Sequence, residues 1–406
     1  MSATTPPRRG GLPRIPREEG DDYTAEAVET RRTLLEEAVG RPLPHIGRAR
    51  VPLESARGKI ENLVGHAQVP LGIAGPMLVD STLGAREVFV PMATTEGAMV
   101  AAYSRGMAIL RAAGGARSRL TREGLTQNPI LVYADARAAQ EAARVVRASL
   151  ERMQAVCAET TRHGELITLD AEVIGRRVVL RFVFTTGDAI GINMASRATD
   201  SCLALLASET GAQARYVHGQ DVEKRANARA LVEGRGRSVV CDATVPRELL
   251  GESARATPEE LVAIQRSYAV GFAQLGTQNW TVQGANGLAA VMLACGQDVA
   301  YVTECATGQL DFDVTTGGDL YCSVWLPSLL VGTVGGGTGQ GTAAECLDVL
   351  GCRGAGKAGH FAELLGAVVL AGDLSLMAAF CAHEFSDAHE RLGRNRPPAT
   401  AQDREP

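Results

Sequence analysis

Lysine is the residue type that this 406-residue sequence most nearly lacks. Of its 41 basic residues only three are lysines, Lys59, Lys224 and Lys357, and the other 38 are arginines. An arginine is fixed in its charge, whereas a lysine is a compact donor whose pKa can be moved by its surroundings. A lysine retained against this bias is therefore a candidate for a site that needs an ammonium group. For Lys59 and Lys357 chance retention is the simpler interpretation.

Other absences exclude whole classes of function. The 41 basic and 46 acidic residues are spread along the chain without a long basic block, which argues against nucleic-acid binding. The nine cysteines are an odd number and form no C-x-x-C pair, so the sequence predicts neither a disulfide framework nor a metal site. A reducing, cytoplasmic environment fits this cysteine usage best.

Long hydrophobic runs are also missing. The longest apolar stretch, at 364–372, is far shorter than a membrane span and is followed at once by Asp373. The first 25 residues are rich in Pro, Gly and charge and contain no hydrophobic signal core. We therefore expect a protein with no membrane partner, and a disordered N-terminal arm over residues 1–25.

Periodic patterns predict a mixed α+β chain. Strand-like and helical runs alternate between about 130 and 217, which indicates a compact unit inserted in a larger domain. Strands are expected at 129–135, 178–186 and 237–245. Helices are expected at 24–39, 94–113, from 136, from 188, at 257–275, 286–296 and about 360–392. No repeat of solenoid length is present.

A single acid, Glu96, lies in the small and apolar stretch VPMATTEGAMVAA (90–102). If Thr94 or Thr95 caps the helix, Glu96 lies in its first turn, where the helix dipole stabilises a carboxylate by about 0.3–1 kcal/mol. That structural role is one interpretation. The surroundings offer little polar surface, however, and a buried acid costs free energy unless it is paired or neutral. We therefore favour Glu96 as a proton donor held in a dry pocket.

A second acid, Asp298, ends the apolar stretch 286–297. Aspartate is rarely buried without a partner, and Lys224 is the cation that we single out for it. A Glu96, Lys224 and Asp298 cluster would shift the pKa of each group, which is how proton donors are prepared for work near neutral pH. A purely structural triad is the alternative.

Three further motifs have two interpretations each. Asp188, Gly191 and Asn193 lie where a strand passes into a helix, which suits an anionic cofactor or a plain turn. The glycine-rich run VGTVGGGTGQGT (331–342) suits close approach to a phosphate or acyl group, or a tight structural turn. His389 is either a solvated histidine near the chain end or an acid that folds over the site.

Seven stretches, taken together and in order, resemble 3-hydroxy-3-methylglutaryl-CoA reductase in its soluble catalytic form. The similarity covers about residues 45–395. The stretches are ENLVGHAQVPLGIAGPM (61–77), VPMATTEGAMVA (90–101), GDAIGINM (187–194), EGRGRSVVC (233–241), ACGQD (294–298), VGTVGGGT (331–338) and AGDLSLMAA (371–379).

The resemblance implies a role for each catalytic candidate. Lys224 would stabilise the oxyanion from the thioester carbonyl, and Glu96 would protonate the aldehyde-level intermediate. Asp298 would link and tune these two. His389 would protonate the departing CoA thiolate.

The resemblance also implies NADPH as cofactor and an acyl-CoA substrate. Thr161 and Arg162 match a pair that contacts the 2′-phosphate, Ser104 and Arg105 match CoA contacts, and Asn286 matches a contact to the acyl portion. The nicotinamide-dinucleotide loop corresponds to Asp188, Ala189, Ile190, Gly191, Ile192, Asn193 and Met194.

The family's architecture gives expected domain bounds. A large domain around a central buried helix would comprise residues 26–132 and 218–385, with a small ferredoxin-like cofactor domain, 133–217, inserted. Residues 386–406 would form a C-terminal flap and tail. A homodimer, or a higher homo-oligomer, with the active site at the subunit interface is implied as well.

Departures from the family pattern affect mainly the acyl pocket. Family members often have a lysine pair after an aspartate, followed by Pro and Asn, where this chain has Glu223, Lys224, Arg225, Ala226 and Ala230. His218 replaces a common substrate-binding serine, and Val132 lies near the position of a carboxylate-binding arginine. Arg225 is the candidate to bind the carboxylate instead.

The leading hypothesis is therefore an NADPH-dependent reductase that makes mevalonate. A paralogue acting on a different acyl-CoA is the first alternative, and a non-catalytic acyl-CoA-binding protein the second. The sequence leaves open the acyl group and the direction of the reaction in the cell.

Overall fold

The computed structural model describes residues 11–16, 25–44, 67–220 and 223–382 of the chain. Lys59, His389, the predicted flap and tail (386–406) and most of the predicted N-terminal arm lie outside these ranges.

The described residues form an α+β fold, as the sequence predicts. The helices are α1 Ala25–Val39, α2 Met99–Ala112, α3 Ala136–Arg147, α4 Leu150–Thr160, α5 Ile192–Thr210, α6 Ala228–Val232, α7 Arg247–Ala254, α8 Pro258–Leu275, α9 Gly284–Ala294, α10 Val302–Cys305, α11 Gly341–Val349 and α12 Ala358–Cys381. The strands are β1 Leu71–Ser81, β2 Gly84–Ala93, β3 Ala116–Gln127, β4 Ile130–Val132, β5 Leu166–Ile174, β6 Arg177–Phe184, β7 Ala214–Tyr216, β8 Gly236–Val245, β9 Asn279–Trp280, β10 Gly308–Val314 and β11 Leu320–Leu329.

Strand β3 connects two parts of the sheet. Its first part pairs antiparallel with β8 and, over two residues, parallel with β1. Its last three residues, Leu125–Gln127, pair with β6, which carries β4 and β5 on either side. The main order is β7-β4-β6-β3-β8-β11-β10-β9. Residues 130–217 therefore form an α+β unit that remains hydrogen-bonded to the larger part of the sheet.

Helix α12 is the central helix of the larger part. Its residues are buried along nearly its whole length, as expected for a helix that is apolar on all sides. By length and composition it is also the one helix of the described ranges that could cross a membrane, but 83% of its apolar window is buried inside the fold. We therefore describe it as a core helix. Its buried acids Glu363 and Asp373 accept hydrogen bonds from β-strand and loop residues.

Glycines allow α12 to contact its neighbours closely. A Cβ placed at Gly106 of α2 would lie 1.8 Å from the carbonyl oxygen of Ala371. A Cβ at Gly366 would lie 2.8 Å from the side chain of Val239 on β8. Such distances are below van der Waals contact, so α12 can pack this closely on helix α2 and strand β8 only because glycine occupies positions 106 and 366.

Two helices begin later than the sequence predicts. Helix α2 starts at Met99 instead of about 94, because Ala98 adopts a left-handed conformation with φ 66°, which a right-handed helix cannot contain. Helix α5 starts at Ile192 instead of 188, because Gly191 at φ 85° forms its N-cap. The predicted starts were wrong by five and four residues, and both corrections place a predicted site residue in a loop.

The N-terminal arm is packed where the structure describes it. Leu12 and Ile15 pack against a small cluster formed by Leu35, Leu43 and Phe89, and the Leu12 N–H donates to the carboxylate of Glu87 on β2. The prediction of a disordered arm is therefore wrong for residues 11–16. Two apolar side chains in a charged segment are enough to fix it to the surface.

Candidate active site

Lys224 and Asp298 form an ion pair at the surface of the larger part. The Lys224 Nζ lies 2.9 Å from Asp298 Oδ2, which is the pairing that the sequence predicted. Asp298 is the N-cap of a 3₁₀ turn, Val299–Tyr301, and accepts the Ala300 N–H at 3.1 Å. This second bond fixes the carboxylate that faces the lysine.

A buried pair beneath Lys224 holds its backbone. Lys224 adopts φ 56°, which a residue with a side chain rarely does, and its N–H donates to the carboxylate of Glu304. Glu304 in turn lies 3.0 Å from Arg235, and both side chains are almost fully buried. Burial raises the pKa of Glu304, and Arg235 only partly offsets this. The chain therefore uses a buried salt bridge to hold the exposed lysine in place.

The environment of Lys224 favours its charged form. The hydrogen bond to Asp298 is the main cause that raises its pKa, with the charges of Asp298, Glu223 and Glu304 contributing in the same direction. The Nζ also lies 4.9 Å from the ring centroid of Tyr301, within cation–π range. The ring is anchored by a 3.1 Å hydrogen bond from its hydroxyl to Glu223.

Glu96 lies in the loop before α2, on the wall of a surface cleft. Its N–H donates to Thr94 Oγ1 at 3.0 Å, and its carboxylate accepts a 3.3 Å hydrogen bond from the amide of Asn286. Glu96 lines an open cleft of about 380 Å³ between β2, α2 and α9. The cleft is also lined by Val299 and Val302, so it extends along the segment that begins at Asp298.

The dry pocket predicted for this cluster is wrong for the single chain. The side chains of Lys224 and Asp298 are 42% and 46% exposed, and Glu96 is exposed as well. The physical reason is that these elements enclose the cleft on one side only. The apolar residues around Glu96 correctly indicated one wall of the cleft. They did not show whether another surface covers the opposite side.

Asp188 stands apart from the other residues of the predicted cofactor loop. Its carboxylate accepts the N–H groups of Gly356, Lys357 and Ala358 at 2.7, 3.0 and 3.0 Å. These bonds cap the N-terminus of α12, and they outweigh burial and lower the pKa of Asp188. The side chain thus fastens the loop to the central helix, a role that the sequence motif did not indicate.

The rest of the loop contacts the segment that follows the predicted 2′-phosphate pair. A Cβ at Gly164 would lie 2.5 Å from the carbonyl oxygen of Thr185 and 2.4 Å from the Met194 side chain, so Gly164 packs directly on these two residues. Thr161 accepts the N–H of His163 at 3.1 Å, and Arg162 is exposed. No side chain caps α5 at Gly191, which leaves a helix start of the kind that binds anions.

Two motifs support this loop from beneath. Arg237 donates to the carbonyl oxygens of Gly187 and Val331 and to Glu123. Gln297 exchanges two hydrogen bonds of 2.9 Å with the backbone of Gly332. The glycine-rich run therefore packs on the cofactor loop and on the GQD motif, which favours the interpretation as a structural turn.

The predicted CoA and acyl contacts have partners within the chain. Ser104 accepts the Gly75 N–H at 3.3 Å, and Arg105 donates to the side chain of Ser375 at 3.0 Å. Arg225 donates to the carbonyl oxygen of Glu223 at 3.0 Å. Their predicted ligand contacts stay predictions.

Sequence reasoning missed the residues that hold the candidate catalytic groups. Glu304 and Arg235 fix Lys224, Tyr301 covers it, and Arg237 and Gln297 fix the loops. Arg235, Arg237 and Gln297 lie inside motifs that were singled out for other residues, so their place in the motif was the available signal. Glu304, in VTEC, carried no such signal.

The geometry defines a class of protein before any comparison: an α+β enzyme with acid–base side chains at an open cleft. Its fold is similar to that of the class II 3-hydroxy-3-methylglutaryl-CoA reductase from Streptococcus pneumoniae bound to NADPH in open conformations. The TM-score is 0.72 at 19% sequence identity, over 87% of this chain and 96% of that one. At this identity the likeness shows the fold.

Sequence comparison then gives the family. Residues 27–394 match the model of the hydroxymethylglutaryl-coenzyme A reductase family, to which this chain belongs. The 3-hydroxy-3-methylglutaryl-coenzyme A reductase of Methanothermobacter thermautotrophicus is 39% identical over 91% of this chain and 94% of its own length. That of Haloferax volcanii is 40% identical over 91% and 93%. The family predicted from seven motifs is thereby confirmed.

Proposed function

We propose that this protein reduces 3-hydroxy-3-methylglutaryl-CoA to mevalonate with two equivalents of NADPH. The thioester, two NADPH and two protons yield the alcohol, free CoA and two NADP⁺. The carbon–sulfur bond breaks between the two reductions, and its electron pair leaves with the sulfur. NADPH, when bound, supplies the two hydrides.

The observation that carries this proposal is the Lys224–Asp298 pair beside the cleft that holds Glu96. Each reduction puts negative charge on the carbonyl oxygen, so each needs a positive or acidic group within reach. Lys224, held in its charged form, stabilises the first oxyanion, and Glu96 gives a proton to the second. Asp298 orients the ammonium. His389, outside the described residues, is the proposed acid for the departing thiolate.

The residues fit a dinucleotide with an additional phosphate. The uncapped helix start at Gly191, the packing of Gly164 on Met194 and the exposed Arg162 support this fit. Arg162 would bind the 2′-phosphate, since a guanidinium fork matches phosphate oxygens. Residues 189–194 would hold the nicotinamide half. The division into a large domain and a small cofactor domain at 133–217 is part of this proposal.

Two further points belong to the proposal. Helix α8 buries few residues, while Val270 and Leu275 are 73% and 79% exposed, which supports a homodimer; that the active site lies at its interface is implied by the family resemblance. A cytoplasmic location agrees with nine free cysteines, eight of them buried. Sedimentation of the full chain tests the dimer, and a single species near 42.7 kDa would exclude it.

A second candidate function is the same chemistry on another acyl-CoA. Val132, on β4, is buried and apolar where an arginine is expected, and His218 replaces a serine. NADPH oxidation is to be measured with 3-hydroxy-3-methylglutaryl-CoA and with a series of other CoA thioesters. We expect the highest kcat/KM with the first. A higher value with another thioester selects the second candidate, and no oxidation with any leaves only a binding role.

The variant Lys224→Ala tests the assigned chemistry. We expect turnover to be lost by at least about 10²-fold, the typical effect of removing one oxyanion-stabilising group, with NADPH binding preserved. Arg119→Ala is the matched control, because Arg119 and Asp80 form a surface pair at 2.7 Å with similar exposure, 48% and 43%. Steady-state kinetics and NADPH titration measure both. Retained activity in Lys224→Ala would remove Lys224 from the mechanism.

A further inference from the structure

A buried tyrosine lies behind the candidate acid Glu96. Tyr103 belongs to α2, the helix that follows the Glu96 loop, and its side chain is fully buried. Its hydroxyl donates a 2.6 Å hydrogen bond to the carbonyl oxygen of Gln283. Burial, with the charge of Asp373 in support, raises the pKa of Tyr103 well above its ordinary value. The hydroxyl therefore remains a donor throughout the working pH range.

Gln283 is the N-cap of α9, and several groups fix it. Its N–H and that of Val282 donate to the carboxylate of Asp373 at 2.9 and 3.0 Å. Its side-chain amide donates to the carbonyl oxygen of Gly372, and its own carbonyl oxygen accepts the N–H of Asn286 at 3.0 Å. The first turn of α9 is thus tied to the central helix α12 through Asp373 and to α2 through Tyr103.

The same turn carries the amide that contacts Glu96. Asn286 donates from its side chain to Glu96 Oε2 at 3.3 Å. A path of four residues therefore joins the core to the acid: Tyr103, Gln283, Asn286 and Glu96.

The tyrosine ring has no room to move. A Cβ at Gly287 of α9 would lie 2.4 Å from the Tyr103 hydroxyl, and one at Gly372 of α12 would lie 2.4 Å from the ring. Glycine at both positions lets the backbones of two helices close on the ring from two sides. A side chain packed this tightly transmits its position to its hydrogen-bond partner.

We propose that Tyr103 is a positioning residue for proton delivery by Glu96, acting through Gln283 and Asn286. This inference rests on the proposed function, because it assigns a task within that reaction. Tyr103 does not contact the cleft; it sets where the amide of Asn286 meets the carboxylate. A proton donor displaced by a fraction of an ångström loses rate, since misplacement by 1 Å can cost about 10²-fold.

The test compares two conservative variants. Tyr103→Phe keeps the ring and removes the hydroxyl. Tyr133→Phe is the matched control: Tyr133 is also buried, and its hydroxyl forms a 2.7 Å hydrogen bond with Thr210. Thr210 is the last residue of the 19-residue helix α5, so the control removes a similar bond about 27 Å from the predicted cofactor loop along the helix.

The kinetic readout is chosen to isolate Glu96. Reduction of the free aldehyde, the half-reduced form of the acyl group, needs the proton from Glu96 and no thiolate departure. We expect Tyr103→Phe to lower kcat for the aldehyde about tenfold, with the KM for NADPH unchanged and a larger solvent isotope effect on kcat. We expect Tyr133→Phe to keep the wild-type kcat while its melting temperature falls.

Each result decides one point. Wild-type kcat for the aldehyde in Tyr103→Phe would overturn the inference while leaving the proposed function intact. Failure of the wild-type chain to oxidise NADPH with any thioester or aldehyde would instead overturn the proposed function. If Tyr103→Phe does not fold, Asp373→Asn interrupts the same N-cap, and the same selective loss of kcat is expected. Unchanged kcat in that variant counts against the inference.

Discussion

At the scale of single residues, the decisive feature is the ammonium of Lys224 and what keeps it charged. The lysine is 42% exposed, so water already solvates it, and the hydrogen bond to Asp298 adds specific stabilisation of the charged form. A group whose pKa is raised keeps its proton to higher pH. The alkaline limit of activity should therefore depend on Asp298.

The variant Asp298→Asn tests this dependence. The neutral amide forms a weaker hydrogen bond with the ammonium than the carboxylate does and carries no charge, so both contributions of Asp298 that raise the pKa of Lys224 decrease and the pKa falls. We expect the alkaline limb of the kcat profile to move to lower pH, together with a lower maximum rate. Asp80→Asn is the control, since Asp80 pairs with Arg119 at similar exposure. An alkaline limb that stays in place in Asp298→Asn would show that Lys224 does not set it.

Sequence alone predicted these residues better than it predicted their surroundings. The scarcity of lysine selected Lys224, and an acid after an apolar run selected Asp298. Glu304 escaped notice because its importance comes from burial against Arg235 and from one backbone contact. These two contacts join chain segments that are 69 and 80 positions apart, which no local pattern records.

At the scale of elements, the loops of the site are held in place by side chains that bind the backbone of neighbouring segments. Asp188 caps α12, Gln297 binds Gly332, and Arg237 joins Gly187 to Val331. The start of the predicted cofactor loop, at Gly187 and Asp188, is therefore fixed in position. The sequence identified the glycine-rich motif and the strand-to-helix junction as candidate ligand loops or structural turns, whereas their mutual packing could not be predicted from it.

The variant Arg237→Lys tests this anchoring. An ammonium cannot reach both carbonyl oxygens and Glu123 as a planar guanidinium does. Leaving one buried acceptor unpaired costs about 1–3 kcal/mol. If that cost falls on the nucleotide-bound state, the KM for NADPH rises about tenfold. We expect this rise with little change in the KM for the thioester.

Arg117→Lys serves as the control for Arg237→Lys. Arg117 pairs with Asp242 at 2.6 Å on the exposed side of strands β3 and β8, so the same exchange removes a surface bond only. A KM for NADPH that is equal in the two variants would contradict the anchoring role.

At the scale of the whole molecule, one buried acid links stability to pH. Asp373 lies in the central helix, and burial raises its pKa to about 7, against the two hydrogen bonds from Val282 and Gln283 that lower it. In the unfolded chain its pKa is about 3.9. Between these values the folded chain binds the additional proton, so the contribution to stability is fully present below about pH 4 and is lost as pH rises through about 7.

The measurement is denaturant unfolding at pH 5 and pH 8. We expect the midpoint to be higher at pH 5, with the single-site contribution at most roughly 4 kcal/mol across the whole window. Asp373→Asn cannot titrate, so its difference between the two pH values should be smaller, although the variant is less stable at both. An equal difference in the variant would assign the pH dependence to other groups.

The fold as a whole was within reach of the sequence. Alternating patterns predicted the α+β class, and the resemblance to the family predicted the central buried helix that α12 provides. What lay beyond reach was closure of the cleft: apolar residues around Glu96 look the same whether they face a second surface or water. The starts of α2 and α5 were missed because one left-handed residue, Ala98 or Gly191, sets where each helix begins.

The Lys224–Asp298 pair has one more consequence under the proposed function. A free amine beside an acyl thioester is a nucleophile and would be acylated, which would end catalysis in a single turnover. The carboxylate keeps the lone pair of that nitrogen occupied by a proton. The same contact that prepares the lysine to receive negative charge thus shields the enzyme from chemical modification by its own substrate.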